Sequence, residues 1–328
     1  LVLMACPRAR GLFHGAISES GAVTDIPADR ARSTAREMAR FAGLEPDLEG
    51  WRALDYDRVF STTTGFERHR AERAAAVPLV DRVRAAIIPG PDTGITYGPT
   101  VDGGLLPLPV REALARGSGG DIPLLAMSTT HEFIWSAFGL AEELGARSAA
   151  EVMAQAGLVA GLAAEYVEAH PELAGGEHLR LGNLISDTMF HTPLLGWALA
   201  RRGRAGSCAG EAGTWLSRFA WESPETGWST HCFEVPFAFD CLAHPYCGHT
   251  LRSAPPQALA DAVHGDWVRF ILTGDPGWEP WDERGLGRTY GDPRGARPDG
   301  AVDGEVFAVE RRLLEAGERL AGAVSEAG

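Results

Sequence analysis

The sequence contains no lysine. Its 30 basic residues are all arginine and are outnumbered by 44 acidic residues, which leaves a formal net charge of −14 over 328 residues. A chain with this balance and no basic cluster repels phosphate backbones and anionic membrane surfaces, so we expect neither nucleic acid nor a membrane surface as a partner. No apolar run reaches the length of about 20 residues that a membrane-spanning helix needs.

Cysteine is also scarce. The five cysteines are odd in number and unevenly spaced: Cys6, Cys208, Cys232, Cys241 and Cys247. That is a poor basis for a disulfide framework. We therefore expect free thiols in a reducing, cytoplasmic compartment, with a single Cys241–Cys247 bridge as the open alternative.

The remaining composition is that of an ordinary globular protein, with 45% hydrophobic and 23% charged residues. Apolar runs bounded by turn residues predict strands, and apolar residues at helical spacing predict helices. The predicted strands are 13–18, 122–127 and 215–221, and the predicted helices are 28–41, 110–116, 258–272 and 306–323.

Two longer segments complete this pattern. Residues 148–202 are predicted to be helical throughout, with breaks at Pro171 and Gly175-Gly176, whereas residues 84–109 are rich in turn residues such as Pro89-Gly90-Pro91. Strands separated by helices and long excursions predict an α/β fold with a mostly parallel sheet and large helical insertions.

Glu132 and His231 are the candidates for catalysis. Glu132 follows directly on the apolar strand 122–127, and the carboxyl end of a strand is where open α/β sheets place catalytic side chains. His231 precedes an aromatic, proline-containing segment, which should hold an imidazole rigidly enough to act as a general base. A lone histidine or a carboxylate after a strand is more often structural, so the two residues gain weight only as a pair.

The segments around this pair resemble the type-B carboxylesterase family, the cholinesterase-like esterases and lipases. Residues 230–239 are similar to the family's histidine segment, and residues 127–133 to the turn that ends in its acidic residue. Four further segments match in order along the chain, namely Pro7 to Gly21, Pro99 to Pro107, Asp187 to Pro193 and Trp267 to Pro276. Several ordered matches are more specific than any single motif.

The resemblance implies one partial α/β-hydrolase domain over 1–328, with 148–202 as a helical insertion or cap. It implies a serine esterase that needs no cofactor and acts on small-molecule esters, with Glu132 as the acid and His231 as the base. Ser20 and Glu234 are expected to support the acid by hydrogen bonding. The oligomeric state stays open.

The nucleophile of this family lies in a Gly-x-Ser-x-Gly elbow, and no such motif occurs in the sequence. Glu19-Ser20-Gly21 mimics it, but the leading glycine and the residue between serine and glycine are absent. The family order places the elbow and the oxyanion-hole glycines before Leu1. We therefore expect that this chain alone is inactive.

Two positions depart from the family pattern. Met127 stands where the family has a glycine, and His131 stands where it has an acidic residue before the catalytic glutamate. Either change alters the surroundings of Glu132. Trp135 and Trp228 are the tryptophans nearest to the pair in sequence, and they are candidates for lining an apolar pocket.

Two alternatives belong to other classes of protein. Cys232, Cys241, His244, Cys247 and His249 are possible zinc ligands, although they contain no Cys-x-x-Cys pair. A non-catalytic binding or adhesion module on the same fold is the other. Retention of both Glu132 and His231 favours the enzyme over this module.

Overall fold

The computed structural model describes residues 1–21, 25–88, 96–202, 212–251, 254–291 and 301–327. The predicted turn at Pro89-Gly90-Pro91 and Cys208 lie outside these residues. The described strands are β1 Ala16–Glu19, β2 Ile26–Pro27, β3 Thr100–Val101, β4 Leu124–Thr129, β5 Thr214–Phe219, β6 Leu286–Tyr290 and β7 Val302–Glu305.

The main sheet has the strand order β1-β4-β5-β6-β7, and β2 pairs with β3 separately. Neighbours from β1 to β6 are parallel, and only the pairing of β6 with β7 is antiparallel. β4 lies between β1 and β5, with Ala126 opposite Ser18 on one side and Leu216 on the other. The predicted mostly parallel α/β sheet is therefore confirmed.

Helices cover both faces of the sheet. Their bounds are α1 Val2–Ala5, α2 Ala28–Ala42, α3 Leu48–Arg52, α4 Tyr56–Ala75, α5 Leu79–Ile87, α6 Val110–Ala115, α7 Leu140–Leu144, α8 Ala149–Gln155, α9 Ala160–Ala169, α10 Glu177–Met189, α11 His191–Arg202, α12 Val235–Ala238, α13 Pro245–Leu251, α14 Gln257–Thr273 and α15 Ala308–Ala327. No helix in the described part of the chain is both long and apolar enough to cross a bilayer.

The continuous apolar run of β4 follows from burial on both faces. Leu124 and Ala126 belong to a core with α6 and α11, whereas Leu125 and Met127 belong to a second core with α12 and α14. Successive side chains of a strand point to opposite faces, so every side chain of a strand that is covered on both sides is buried. Such a strand therefore has a continuous apolar sequence.

A third apolar core contains no strand. It joins α5, α8, α9, α10 and α15 through residues such as Val83, Val152, Leu181 and Leu313, all 1% exposed or less. The predicted helical segment 148–202 thus packs largely on other helices. Its separate status as an insertion or cap remains a prediction.

Three sequence predictions need correction. The first strand is 16–19 rather than 13–18, since its register is fixed by pairing with β4 and not by its own apolar residues. Residues 84–87, expected in a turn-rich excursion, are the last turn of α5, which buries Val83 and Ile87. The short edge strand β7 and its neighbour β6 were not predicted, because neither carries a continuous apolar run.

Candidate active site

Glu132 lies just beyond the carboxyl end of β4 and is fully buried, at 0% exposure. Its Oε1 accepts hydrogen bonds from Ser20 Oγ at 2.6 Å, Ser128 Oγ at 2.6 Å and the Thr129 backbone N–H at 2.7 Å. Burial favours the neutral acid, but the hydrogen bonds from His231, Ser128 and Ser20 outweigh it and hold the pKa of Glu132 below its usual value. Glu132 is therefore an ionised carboxylate in a dry site.

His231 meets the other oxygen of this carboxylate. Its Nδ1 lies 2.6 Å from Glu132 Oε2, across 99 residues of sequence. Because an ionised carboxylate only accepts, Nδ1 carries the proton, and Nε2 is the nitrogen left for a reacting group. The side chain of His231 is 29% exposed whereas that of Glu132 is 0% exposed, so solvent reaches the imidazole and not the carboxylate.

Backbone hydrogen bonds between two loops fix this encounter. The His231 N–H donates to the Glu132 carbonyl at 3.0 Å, and the His131 N–H donates to the Ser229 carbonyl at 2.8 Å. Ser229 is itself tied to the end of β5 by a 3.0 Å hydrogen bond from its hydroxyl to the Phe219 carbonyl. The loop after β4 and the loop after β5 therefore hold the acid and the base as one unit.

Ser20 and Glu234, the predicted supporting residues, lie behind Glu132. Ser20 directly follows β1 and has a positive φ of 44°. Its hydroxyl lies 2.6 Å from Glu132 Oε1 and 3.3 Å from Glu234 Oε1. Burial, and then the nearby charges of Glu132 and Glu19, raise the pKa of Glu234 well above its usual value. Ser20 thus bridges an ionised carboxylate and a protonated carboxylic acid.

Glu19 was not predicted as part of this site. Burial raises its pKa to about 7, and its negative charge in turn helps to keep Glu234 neutral. A sequence signal was available, because Glu19 directly precedes Ser20 and occupies the end of a strand. The pattern of residues along this strand does not, however, indicate that the carboxyl group of Glu19 is buried away from water.

The fold accommodates the two residues that depart from the family pattern, Met127 and His131. Met127 is 1% exposed and fills the core between β4 and α14. Burial, followed by the charge of Arg218, lowers the pKa of His131 to about 3, so this residue is neutral. Its Nδ1 accepts a 3.2 Å hydrogen bond from the Ser229 N–H, so His131 helps to join the two loops without adding charge beside Glu132.

Aromatic rings surround the imidazole of His231. The ring centroids of Phe133 and Phe190 lie 5.0 and 5.2 Å from that of His231. Trp135 is 46% exposed and contacts Phe133 at 4.8 Å. Trp228 instead packs against His131 at 5.0 Å. Of the two candidate tryptophans, Trp135 therefore packs against Phe133, which in turn contacts His231. Trp228 contacts His131, in the loop that carries Glu132.

The cysteine and histidine residues of the zinc alternative do not converge in the described part of the chain. Cys232, Cys241 and Cys247 are free thiols there, and Cys247 Sγ donates to the Cys241 carbonyl at 3.2 Å. The described cluster with metal-ligand spacing is a different one, made of His170, Asp187 and Glu310. Sequence analysis did not find it, because its members are spread over 141 positions (310 − 170 = 140, plus one).

An imidazole hydrogen-bonded to a carboxylate at the carboxyl edge of a parallel sheet is the acid–base arrangement of α/β hydrolases. That is the fold class of this chain. It belongs to the carboxylesterase family, whose family model matches residues 1–286.

Individual relatives agree with this assignment. The para-nitrobenzyl esterase of Bacillus subtilis (strain 168) is 24% identical over 280 residues, which is 84% of this chain and 51% of that protein. The chain therefore spans about half the length of this curated relative.

Solved structures show the same fold. The carboxylesterase EST55 of Geobacillus stearothermophilus is 22% identical with a TM-score of 0.69, and the match covers 95% of this chain and 60% of that one. A thermophilic PNB esterase is 21% identical with a TM-score of 0.65, covering 95% of this chain and 59% of that one. The predicted family and fold are thus confirmed.

Proposed function

We propose that this chain supplies the acid and base of a serine carboxylesterase that hydrolyses small-molecule esters through an acyl-enzyme. The observation that carries the proposal is the 2.6 Å hydrogen bond between His231 Nδ1 and Glu132 Oε2. It joins an ionised, fully buried carboxylate to an imidazole that solvent and substrate can reach. In a catalytic triad the carboxylate orients the imidazole, and the imidazole transfers the proton.

In this mechanism His231 Nε2 takes the proton of a serine hydroxyl as the serine attacks the ester carbonyl. Glu132 stabilises the resulting imidazolium, which then gives its proton to the leaving alcohol. A water molecule repeats the sequence, with its proton passing to His231 and then to the departing serine. Glu132 stays ionised throughout, and its three other hydrogen bonds keep Oε2 directed at Nδ1.

The nucleophile in this proposal comes from residues outside the 328. Ser20 does not serve, because its hydroxyl proton is engaged by the carboxylate of Glu132 at 2.6 Å. The sequence offers no Gly-x-Ser-x-Gly elbow in its place. By itself the chain should therefore lack esterase activity, since loss of the nucleophile costs roughly 10⁴- to 10⁶-fold in rate.

The surroundings of His231 favour uncharged, apolar esters. Phe133 and Phe190 place aromatic rings against the imidazole, and the net charge of −14 disfavours anionic substrates. Phe190 follows α10 within the segment 148–202, which we propose acts as a cap over the site. An apolar cap also excludes water from the acyl-enzyme until hydrolysis.

The test uses the complete protein encoded by the gene that contains this sequence. It should hydrolyse p-nitrophenyl butyrate and react covalently with a fluorophosphonate probe, and both His231→Ala and Glu132→Gln should reduce kcat on the order of 10⁴-fold. The exposed His244→Ala is the matched control and should retain full activity. If the complete protein neither turns over ester nor takes up the probe, the chain is a binding module on a hydrolase fold.

A further inference from the structure

A second buried cluster of charged groups lies apart from His231. We call it the Asp187 cluster; its members are Asp187, His191, His170, Glu310 and Arg218. Asp187 and His191 meet at the junction of α10 and α11, His170 follows α9, Glu310 lies in the first turn of α15, and Arg218 belongs to β5. The first four are between 0 and 4% exposed. The proposed mechanism uses none of them.

Each histidine of the cluster gives one ring nitrogen to a backbone carbonyl. His170 Nδ1 lies 2.8 Å from the Tyr166 carbonyl oxygen, and His191 Nε2 lies 2.8 Å from the Thr129 carbonyl oxygen. Carbonyl oxygens only accept, so these two nitrogens carry protons. The other nitrogen of each ring is thereby left as the one that can present a lone pair.

Those remaining nitrogens point at the two carboxylates. His170 Nε2 lies 3.9 Å from Asp187 Oδ2, and His191 Nδ1 lies 2.8 Å from Asp187 Oδ1 and 3.7 Å from Glu310 Oε1. Ligand atoms of His170, Asp187 and Glu310 all lie within 4.8 Å of one another. A histidine that donates one N–H to a carbonyl and faces carboxylates with the other nitrogen has the outer-shell arrangement of metal-bound histidines.

The polar groups of the cluster are not fully satisfied by one another. His191 Nδ1 and Asp187 Oδ1 are 2.8 Å apart, yet neither makes a hydrogen bond of acceptable geometry in the described structure, although both residues are 0% exposed. Arg218 forms an ion pair with Glu310 and neutralises one carboxylate. The carboxylate of Asp187 accepts hydrogen bonds at Oδ2 from the Tyr166 hydroxyl and from Asn183 Nδ2. These donors are neutral, so its charge still has to be balanced by a proton on a histidine or by a cation.

A cavity of about 480 Å³ connects to this point. It is lined by His170, Glu310, Arg218, Glu172 and Phe307, among others, and it lies at the carboxyl ends of β5 and β6. The charged lining consists of Arg218 and five glutamates, Glu165, Glu172, Glu222, Glu305 and Glu310. The wall is therefore acidic on balance, which favours entry of a cation.

We propose that His170, His191, Asp187 and Glu310 form a binding site for Zn²⁺. Two imidazole nitrogens and two carboxylate oxygens give the four ligands that Zn²⁺ usually takes, and imidazole in the set disfavours Mg²⁺ and Ca²⁺. Ligand atoms at about 2.0–2.2 Å from the ion are about 3.3 Å apart in a tetrahedral site. On binding, the contacts of 3.7 and 3.9 Å would therefore shorten and the 2.8 Å contact between His191 Nδ1 and Asp187 Oδ1 would lengthen. The ion would tie together α9, α11 and α15 and add to the stability of the helical core.

The experiment measures zinc directly on the complete purified protein encoded by the gene that contains this sequence. After removal of metal with a chelator, the chain is titrated with ZnCl₂ by calorimetry, and its zinc content is determined by mass spectrometry after dialysis. We expect about one zinc per chain and a rise in Tm on addition of zinc. Asp187→Asn and His170→Gln should each weaken binding on the order of 10-fold or more.

His264→Gln is the matched control. His264 Nδ1 also bonds a backbone carbonyl, that of Ala238, at 2.9 Å, but His264 lies on α14 outside the cluster. This variant should bind zinc as the parent does. Far-UV circular dichroism without zinc shows whether each variant folds. Should both ligand variants unfold, the absorption spectrum of the Co²⁺-loaded parent decides, since nitrogen and oxygen ligands lack the sulfur-to-cobalt charge-transfer bands of thiolates.

Three results would overturn the proposal: less than about a tenth of a zinc per chain, equal affinity in the parent and both ligand variants, or thiolate bands in the cobalt spectrum. In each case the Asp187 cluster is an ion-pair network held by a protonated histidine. The measurement involves no ester, so its outcome is independent of the proposed esterase activity.

Discussion

The structure contains two buried carboxylate–histidine clusters that differ in access. In the first, which we call the Glu132 cluster (Glu132, His231, Ser20, Ser128 and Glu234), the histidine side chain is 29% exposed. In the Asp187 cluster the His191 side chain is 0% exposed, and both of its nitrogens face protein groups. The same pair of residue types therefore has two different environments in one fold.

The difference in solvent access separates a histidine suited to proton transfer from a histidine suited to a structural role. His231 is fixed at Nδ1 and open at Nε2, so it can gain and lose a proton without moving its carboxylate partner. His191 cannot exchange a proton or ion without breaking a contact to Thr129, Asp187 or Glu310. Variants of His231 should therefore act mainly on rate, and variants of the Asp187 cluster mainly on stability.

The sharpest test of this contrast compares His231→Ala with His191→Ala. In the complete protein the first should reduce kcat on the order of 10⁴-fold and lower the unfolding free energy by about 1–3 kcal/mol, because Glu132 Oε2 loses its hydrogen-bond donor although water can enter beside the part-exposed position. The second should destabilise the fold by about 3–5 kcal/mol, because the buried carboxylate of Asp187 loses the imidazole 2.8 Å from its Oδ1 and keeps only the neutral donors Tyr166 and Asn183. Ester hydrolysis and urea unfolding measure the two effects. Equal losses of stability in both variants would remove the distinction.

Arg218→Met probes the charge balance of the Asp187 cluster alone. Glu310 is 2% exposed and pairs with Arg218, so loss of the cation should destabilise the chain by about 3–5 kcal/mol in urea unfolding. Combining it with Glu310→Leu should restore most of this loss, since the buried charge of Glu310 that Arg218 neutralises is then removed as well. The exposed pair Arg116–Glu112 is the control, and Arg116→Ala should cost less than about 0.5 kcal/mol.

Ser20→Ala tests the hydrogen bonding behind Glu132. It removes a 2.6 Å hydrogen bond to an ionised carboxylate, which should cost about 1.5–3 kcal/mol at neutral pH. The pKa of Glu132 is depressed in the folded chain, so its contribution is present above the unfolded pKa and is lost as the pH falls. The variant should therefore lose less stability than the parent on acidification. Ser136→Ala, whose 3.4 Å bond is to a carbonyl, serves as the comparison and should cost less.

The smallest expected effect concerns His131. Its folded pKa of about 3 lies below the ordinary value of 6.5, so the unfolded chain binds an extra proton between these pH values. Stability should fall by about 1.4 kcal/mol per pH unit as the pH decreases through this window. His131→Gln should lack this pH dependence, because a glutamine side chain does not titrate. Its amide oxygen can still accept the hydrogen bond from the Ser229 N–H, so the contact between the two loops is kept. Urea unfolding at pH 6.5 and pH 5 measures the difference, and identical slopes in parent and variant would contradict it.

Local patterns were sufficient for the elements that their own residues determine. β4 and α14 were predicted because burial on both faces gives a strand a continuous apolar run, and because a helix repeats its apolar residues every three to four positions. β1 was shifted by three residues at its start, since hydrogen bonds to β4 set its ends. The edge strand β7, with no buried residue, has no local signal to find.

The Glu132 cluster could be predicted from the sequence, whereas the Asp187 cluster could not. Glu132 and His231 were paired through motifs that resemble a known family, and Ser20 and Glu234 followed from the same resemblance. Asp187 also lies in such a motif, but the motif does not name its partners. Glu310 and Arg218 come from a helix and a strand 92 positions apart, and only the assembled fold reveals that their charges meet.

The hydroxyl of Ser20 has one proton but contacts two carboxyl groups, and this gives the hydrogen bonds behind Glu132 a direction. The Ser20 hydroxyl donates to Glu132, which also receives the proton of His231 from the opposite side. With that one proton committed to Glu132, the 3.3 Å contact between Ser20 Oγ and Glu234 Oε1 is favourable when the protonated Glu234 is the donor. A glutamine at position 234 would preserve this direction, because its amide donates where the acid does. An ionised carboxylate there would oppose it, and the polarity of the whole chain of bonds would depend on the pH.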